Sequence, residues 1–87
     1  MINNFLLKEF GGRVRQLRTD EKLSQEQLSY KTGFHRTYIG MIERGERNIS
    51  LTNMAVFAKA FDLTVDELLK FRNSKELLKK YKLKSED

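Results

Sequence analysis

Four consecutive side chains, those of His35, Arg36, Thr37 and Tyr38, can each donate a hydrogen bond. An arginine that donates to both O6 and N7 of guanine is the commonest specific contact between a protein and a DNA base. Thr37 and Tyr38 can donate to phosphates, and their apolar atoms can pack against a thymine methyl group or a sugar. The cluster therefore predicts a DNA contact, led by Arg36. The alternatives are a solvated Arg36, a Tyr38 that belongs to the core, and a His35 that only begins a helix, where histidine is a poor cap.

The residues around this cluster, 24–43, predict two short helices joined by a tight turn. A capping box can begin the first helix at Ser24, and Gly33 can end it in a left-handed conformation. Ile39 and Ile42 lie three residues apart, on what is predicted to be the inner face of the second helix. The four donors then begin the outer face of that helix. This is the layout of a helix-turn-helix, in which the second helix reads the major groove.

Taken with the rest of the chain, this stretch resembles the Cro/C1-type (XRE-type) helix-turn-helix regulators. The pieces that carry the resemblance are Val14, Leu17 and Arg18, then Ser24-Gln25-Glu26, Leu28-Ser29, Gly33, Ile39, Ile42-Glu43-Arg44-Gly45, Leu51-Thr52-Asn53-Met54 and Phe57-Ala58-Lys59-Ala60-Phe61. The resemblance implies an all-α, five-helix lambda-repressor-like domain over 10–71, followed by a basic tail or helical extension over 72–87. Within the family, the stretch HRTYIGMIERGERNISL is most similar to the controller proteins of restriction–modification systems.

The resemblance also implies contacts outside the first cluster. It gives Gln25 a phosphate or base contact, at a helix start whose free amides attract anions; alternatively, Gln25 is only a good first-turn residue. Arg47 and Asn48 lie in the loop that relatives place against the DNA backbone or the edge of the groove. For Arg18 there are two interpretations, a phosphate contact or a structural ion pair with Glu43 of the kind that often ties two helices together in this family.

Apolar residues at helical spacing predict the supporting helices. A first helix is expected over 5–20, in which Gly11 and Gly12 indicate either close packing or a late start near Gly12. A fourth helix is expected over 51–61, and a capping box at Thr64 begins a fifth.

The fifth helix offers more apolar area than a monomer of this size is expected to cover. A dimer surface is therefore predicted, formed by Val65, Leu68, Leu69 and Phe71. The alternative is that these residues close the monomer core. The tail after residue 72 carries Leu77, Leu78 and Tyr81 at spacings that permit an amphipathic helix. It could extend the dimer interface, lie along DNA phosphates or remain frayed; for a helix on a membrane surface its apolar residues are few.

The composition narrows the function classes. At 87 residues the chain is one domain, and it contains no cysteine and a single histidine, so neither a disulfide nor a zinc finger is expected. Residues 1–71 carry 11 basic and 9 acidic side chains, whereas residues 72–84 carry 6 and 1, so most of the net charge of +5 lies in the tail. Neither a catalytic set, a phosphate loop, a metal cluster, a membrane span nor a signal peptide is recognisable. We therefore expect no enzyme, no cofactor and a location in the bacterial cytoplasm.

These observations predict a sequence-specific transcription regulator that binds double-stranded DNA as a homodimer on a pseudo-palindromic operator. Two recognition helices about 34 Å apart would enter successive major grooves. A controller of this type times the expression of a restriction endonuclease relative to its methyltransferase, and activation would require contact with RNA polymerase. The alternatives are a phage- or antitoxin-type repressor of the same fold, and a protein-interaction module that uses the fifth helix and the tail.

Overall fold

The computed structural model describes residues 4–86, and all regular structure within that range is helical. The elements, in chain order, are α1 (Phe5–Asp20), α2 (Gln25–Thr32), α3 (Arg36–Glu43), α4 (Leu51–Ala60), α5 (Val65–Leu68), α6 (Ser74–Leu78) and a 3-10 turn (Lys84–Glu86). The all-α fold class is confirmed, and α6 supplies the helical extension. The division into a domain over 10–71 and a tail over 72–87 stays a prediction. None of the helices within 4–86 is long and apolar enough to cross a lipid bilayer.

Helix α1 begins at Phe5 and runs without a break through both glycines. A Cβ at Gly11 would overlap the main-chain carbonyl oxygens of Ile42 and Glu43, whereas a Cβ at Gly12 would meet no atom within 4 Å. Of the two explanations for this glycine pair, close packing is therefore correct and a late helix start is wrong. The absence of a side chain at Gly11 lets α1 lie directly against the end of α3.

Local hydrogen bonds begin and end the helices at the positions that the sequence indicates. The capping boxes at Ser24 and Thr64 are both complete, and Ser50 caps α4 through the amide of Asn53. Gly33 ends α2 with a φ of 82°, a left-handed conformation that glycine adopts without a steric penalty. Hydrogen bonds from the amide and hydroxyl of Thr64 lower the pKa of the Glu67 carboxyl below its usual value.

A single core connects the first five helices. Its fully buried side chains come from α1, α2, α3, α4 and α5, and they are Val14, Leu28, Ile39, Ile42, Phe57 and Leu68. The ring of Phe34, in the turn between α2 and α3, lies 5.1 Å from the ring of Phe57. The turn between α2 and α3 is thus packed against α4, and this contact helps to set the angle between α3 and α4.

The predicted dimer residues do not share one environment. Leu68 is 0% exposed, because the inner face of the four-residue helix α5 packs into the core, as the alternative of core closure expects. The dimer surface itself stays a prediction. Val65 and Phe71 are partly buried against the same core. Leu69 is 36% exposed and lies at the surface.

The tail folds back onto the beginning of the chain. Leu77 of α6 is buried, and the hydroxyl oxygen of Tyr81 accepts a hydrogen bond of 2.8 Å from the main-chain amide of Leu6. The rings of Tyr81 and Phe5 meet edge to face, and the ammonium of Lys80 lies 4.6 Å from the centre of the Phe5 ring. The tail therefore occupies one of the free N–H groups at the start of α1.

Candidate DNA-reading site

Helices α2 and α3 form the helix-turn-helix, and α3 presents one buried face and one exposed face. Ile39 and Ile42 are buried, whereas His35, Arg36 and Thr37 are exposed at the start of the helix. We call the surface formed by His35, Arg36, Thr37 and Tyr38 the reading face. The major groove of DNA, about 12 Å wide, admits an α-helix.

His35 has a structural task at this surface. It is the N-cap of α3, and its Nδ1 accepts a hydrogen bond of 3.1 Å from the amide of Thr37. The other ring nitrogen carries no part of the cap. The expectation that histidine caps poorly is wrong here, because the ring nitrogen substitutes for the oxygen of the usual serine or aspartate.

Arg36 extends into solvent with a side chain that is 66% exposed. Its Nη1 lies 3.6 Å from Oε2 of Glu26, in the first turn of α2. The other oxygen of the same carboxylate accepts a hydrogen bond of 2.6 Å from the hydroxyl of Tyr30, which raises the pKa of Tyr30 above its usual value. The carboxylate of Glu26 therefore joins the two helices of the motif at the edge of the reading face.

Tyr38 is half-buried, so it packs partly against the core and keeps part of its surface exposed. Its ring lies 5.1 Å from the ring of Phe34, and its hydroxyl oxygen accepts a hydrogen bond of 2.9 Å from the side chain of Asn53. The hydroxyl proton remains available as a donor. The guanidinium of Arg47 lies 5.5 Å from the centre of the same ring. Tyr38 thus packs against the core with one edge and against Arg47 with its face.

A buried network holds the end of α3 against α1. Arg18 donates to both carboxylate oxygens of Glu43, at 2.6 and 3.0 Å, and the two side chains are only 11% and 3% exposed. Arg18 also donates to the carbonyl of Leu23, and Gln25 donates to Glu43 at 3.0 Å. Of the two interpretations of Arg18, the structure has the ion pair. Because all three guanidinium nitrogens of Arg18 donate inside the protein and its side chain is 11% exposed, Arg18 has little left to offer a phosphate.

The side chain of Gln25 belongs to the same network. Its side-chain amide is half-buried and faces Gly40 of α3, where a Cβ would lie 3.6 Å from its Oε1. Its Nε2 is already bonded to Glu43. Only one of the two Nε2 hydrogens is used in this bond, so the other could still be donated to DNA.

The loop after α3 carries the other predicted contacts. Arg47 and Asn48 are both exposed, and Nη1 of Arg47 lies 3.8 Å from the sulfur of Met41. Arg44 donates two hydrogen bonds to Glu46, which lower the pKa of the Glu46 carboxyl below its usual value. Arg44 is thus neutralised by a neighbour, whereas no acidic partner is found for Arg47 among residues 4–86.

Three functional side chains were not identified from the sequence. Glu26 and Asn53 belong to helices whose spacing gave no hint that they face α3. Arg13 donates to the carbonyls of Leu68 and Glu67, at 3.2 and 2.9 Å, and thereby caps the end of α5. Such contacts join residues 10 to 55 positions apart in the chain, so they depend on the tertiary fold. Within residues 4–86 no group of three or more potential metal ligands lies together.

Comparison with known proteins gives the same picture. The family model described as Helix-turn-helix matches residues 14–68. Control protein C.BamHI of Bacillus amyloliquefaciens is 46% identical over 72 residues, which are 82% of this chain and 88% of that protein. The crystal structure of the restriction-modification controller protein C.AhdI from Aeromonas hydrophila is 48% identical, covers 71% of this chain and 94% of its own, and has a TM-score of 0.68.

A further solved structure contains DNA. It is the controller protein C.Esp1396I, a tetramer in complex with its natural 35 base-pair operator, with 30% identity, a TM-score of 0.70 and coverage of 87% of this chain and 99% of its own. The resemblance that the sequence indicated is therefore confirmed. The chain belongs to the helix-turn-helix family, within its group of restriction–modification controller proteins, and is a DNA-binding transcriptional regulator.

Proposed function

We propose that the protein binds a pseudo-palindromic operator as a homodimer and reads each half-site with the beginning of α3. The observation that carries the proposal is the contrast between the two ends of α3. Its last residue, Glu43, is fixed to Arg18 in a buried pair, whereas Arg36 at its start is 66% exposed. A helix that is fixed at one end and presents exposed donors at the other is the arrangement that base recognition in the major groove requires.

Arg36 is the proposed base reader, with guanine as its partner, because it is the arginine of the reading face and its side chain is 66% exposed. Thr37 is the proposed contact to a phosphate or a thymine methyl group. Tyr38 is half-buried and is proposed to donate its remaining hydroxyl proton to a phosphate. His35 is proposed to donate from the ring nitrogen that the cap leaves unused.

The phosphate contacts proposed around the groove come from two elements. Arg47 and Asn48 are exposed in the loop after α3, and Arg47 is held by the ring of Tyr38 rather than by an acid. Gln25 lies at the start of α2, where the free main-chain amides favour a phosphate. These contacts would supply affinity that falls steeply with salt, and Arg36 would supply the choice of sequence.

The dimer surface is proposed to centre on Leu69 and Phe71. These two residues line an apolar groove of about 190 Å³ together with Leu6, Leu7, Phe10, Asn48, Ile49 and Met54. Leu6 is 41% exposed, so apolar area remains uncovered on both sides of the groove. A second copy of the chain is the proposed occupant, as in relatives that assemble into oligomers. The loop that carries Asn48 then adjoins both the dimer and the DNA.

The biological role that follows is control of a restriction–modification system in the bacterial cytoplasm. The protein would time the endonuclease relative to the methyltransferase by occupying operators in front of their genes. Where it activates, it would contact RNA polymerase as well as DNA. It is proposed to have no enzymatic activity, since its relatives are regulators.

A selection experiment tests the proposal. A randomised duplex library is passed repeatedly over the purified protein, and the bound DNA is sequenced. The expected product is an inverted repeat with half-sites about 10 bp apart and a guanine in each. The proposal fails if no sequence is enriched, or if the enriched sequence has a single, unrepeated site at all protein concentrations.

A further inference from the structure

We infer that Glu26 competes with DNA for Arg36: it holds the guanidinium in the free protein and lowers the affinity for a site at which Arg36 must leave it. The inference rests on the proposed function, because it requires Arg36 to be the base reader. Nothing in the sequence motif marks Glu26 for this role, since its position in the first turn of α2 is equally typical of an acidic residue that only stabilises the helix start.

The geometry gives Glu26 two partners that differ in kind. Its Oε1 accepts a short hydrogen bond, 2.6 Å, from the hydroxyl of Tyr30 one turn later on the same helix. Its Oε2 lies 3.6 Å from Nη1 of Arg36 on the next helix, at ion-pair distance rather than in a close hydrogen bond. Tyr30 thus orients the carboxylate, and the carboxylate attracts the guanidinium without fixing it.

The exposure of the pair makes it reversible. Arg36 and Glu26 are 66% and 53% exposed, and ion pairs this open to water are weak. A guanine that accepts two hydrogen bonds from Arg36 can therefore displace Glu26 easily. A phosphate has no such geometric advantage, so on non-specific DNA Arg36 stays close to Glu26. The carboxylate accordingly costs affinity where Arg36 has to leave it, which is at the cognate site more than on non-specific DNA.

The test compares Glu26→Gln with a matched control, Glu21→Gln. Glu21 is also exposed and pairs with a lysine, Lys31, at 3.4 Å, so both variants lose one negative charge at a surface ion pair. Binding is measured over a series of salt concentrations with two probes of equal length. One is the duplex recovered by selection from the randomised library, and the other is a scrambled duplex of the same composition.

For Glu26→Gln we expect the affinity for the selected duplex to rise roughly two- to fivefold, because the weak ion pair no longer has to be broken when Arg36 turns to guanine. The affinity for the scrambled duplex should rise by less than about twofold, because Arg36 stays close to Glu26 there and little of the ion pair is broken. Glu21→Gln should change both affinities by the same factor. Equal changes with both probes in Glu26→Gln would overturn the inference.

A second pair of variants tests whether the effect passes through Arg36. In an Arg36→Ala background, Glu26→Gln should lose its selective effect and behave like Glu21→Gln. The solution contact itself is checked by the titration of Tyr30, whose raised pKa should fall towards its usual value in Glu26→Gln. An unchanged Tyr30 titration, or a selective effect that persists without Arg36, would contradict the inference.

These outcomes separate the inference from the proposed function. If Arg36→Ala does not relax the selected sequence, the proposed function fails. If Arg36→Ala relaxes it but Glu26→Gln behaves like Glu21→Gln, only the role of Glu26 fails.

Discussion

At the scale of single residues, Glu43 combines a charge with almost complete burial. It accepts from Arg18 twice and from Gln25 once, and its side chain is 3% exposed. Removing one partner of such a pair leaves the other charged and buried, which costs more than the intact pair contributes. The network therefore fixes the angle between α1 and α3 more than it adds to stability.

Glu43→Ala should lower the free energy of unfolding by about 3–5 kcal/mol, because Arg18 is left buried without a counter-charge. Urea denaturation followed by circular dichroism measures this loss. Glu46→Ala is the control, since its partner Arg44 is in water, and its midpoint should stay close to that of the parent chain. A Glu43→Ala midpoint equal to that of Glu46→Ala would mean that the pair does not secure α3.

From the sequence, the exposed residues of this site could be predicted better than the side chains that contact them. The exposure of Arg36 and Thr37 follows from helical spacing, and the pairing of Arg18 with Glu43 was one of the two interpretations that the resemblance offered. The partners Asn53 and Glu26 could not be predicted, because their contacts with Tyr38 and Arg36 depend on the angles between helices. The average preference of histidine predicts a poor N-cap, whereas Nδ1 of His35 accepts the capping hydrogen bond directly.

At the scale of elements, the two adjacent glycines of α1 have opposite surroundings. Gly11 faces the last turn of α3, where a Cβ would lie 2.6 Å from the carbonyl oxygen of Glu43. Gly12 is open to solvent. Sequence alone gives both the same helix penalty, so only the packing separates a structural glycine from a dispensable one.

Gly11→Ala should destabilise the protein by about 1–3 kcal/mol, because α1 and α3 must move apart. Gly12→Ala should stabilise it by about 1 kcal/mol, because alanine loses less backbone entropy in a helix. Thermal denaturation measures both, with a shift of about 4–8 °C for each kcal/mol in a domain of this size. Shifts of the same sign would contradict the proposed packing of α1 against α3.

The element boundaries were largely predictable, and the burial of α5 was not. Ser24, Gly33, Ser50 and Thr64 mark helix ends through local hydrogen bonds or a left-handed residue, and such signals act within a few positions of the chain. The environment of Leu68 depends on α4 and α1, which lie far away in sequence. Apolar spacing therefore identified an inner face on α5 but not whether the monomer itself covers that face.

At the scale of the whole molecule, the proposed dimer groove and the reading face lie on one rigid domain. Leu69 lines the groove and is 36% exposed, whereas Leu68 beside it is buried. A charge at Leu69 should therefore oppose association and leave the core intact.

Leu69→Glu should shift the protein to a monomer at concentrations where the parent chain is a dimer, because a carboxylate on the groove would have to be desolvated. Analytical ultracentrifugation measures the association. Ala55→Glu is the control, because it introduces the same charge at an exposed position of α4 outside this groove. Equal dimerisation of the two variants would remove Leu69 from the proposed interface.

Whether α3 reads DNA with its exposed first turn is tested by the DNA selection repeated with Arg36→Ala. It is run beside Arg15→Ala, which removes an equal charge from an exposed position of α1. Arg36→Ala should lose the preference for guanine at one position of each half-site, with an affinity loss of about 1–3 kcal/mol for the parent duplex. Arg15→Ala should recover the parent sequence unchanged. If folded Arg36→Ala also recovers the parent sequence unchanged, α3 does not read DNA with its exposed first turn, and the account is wrong.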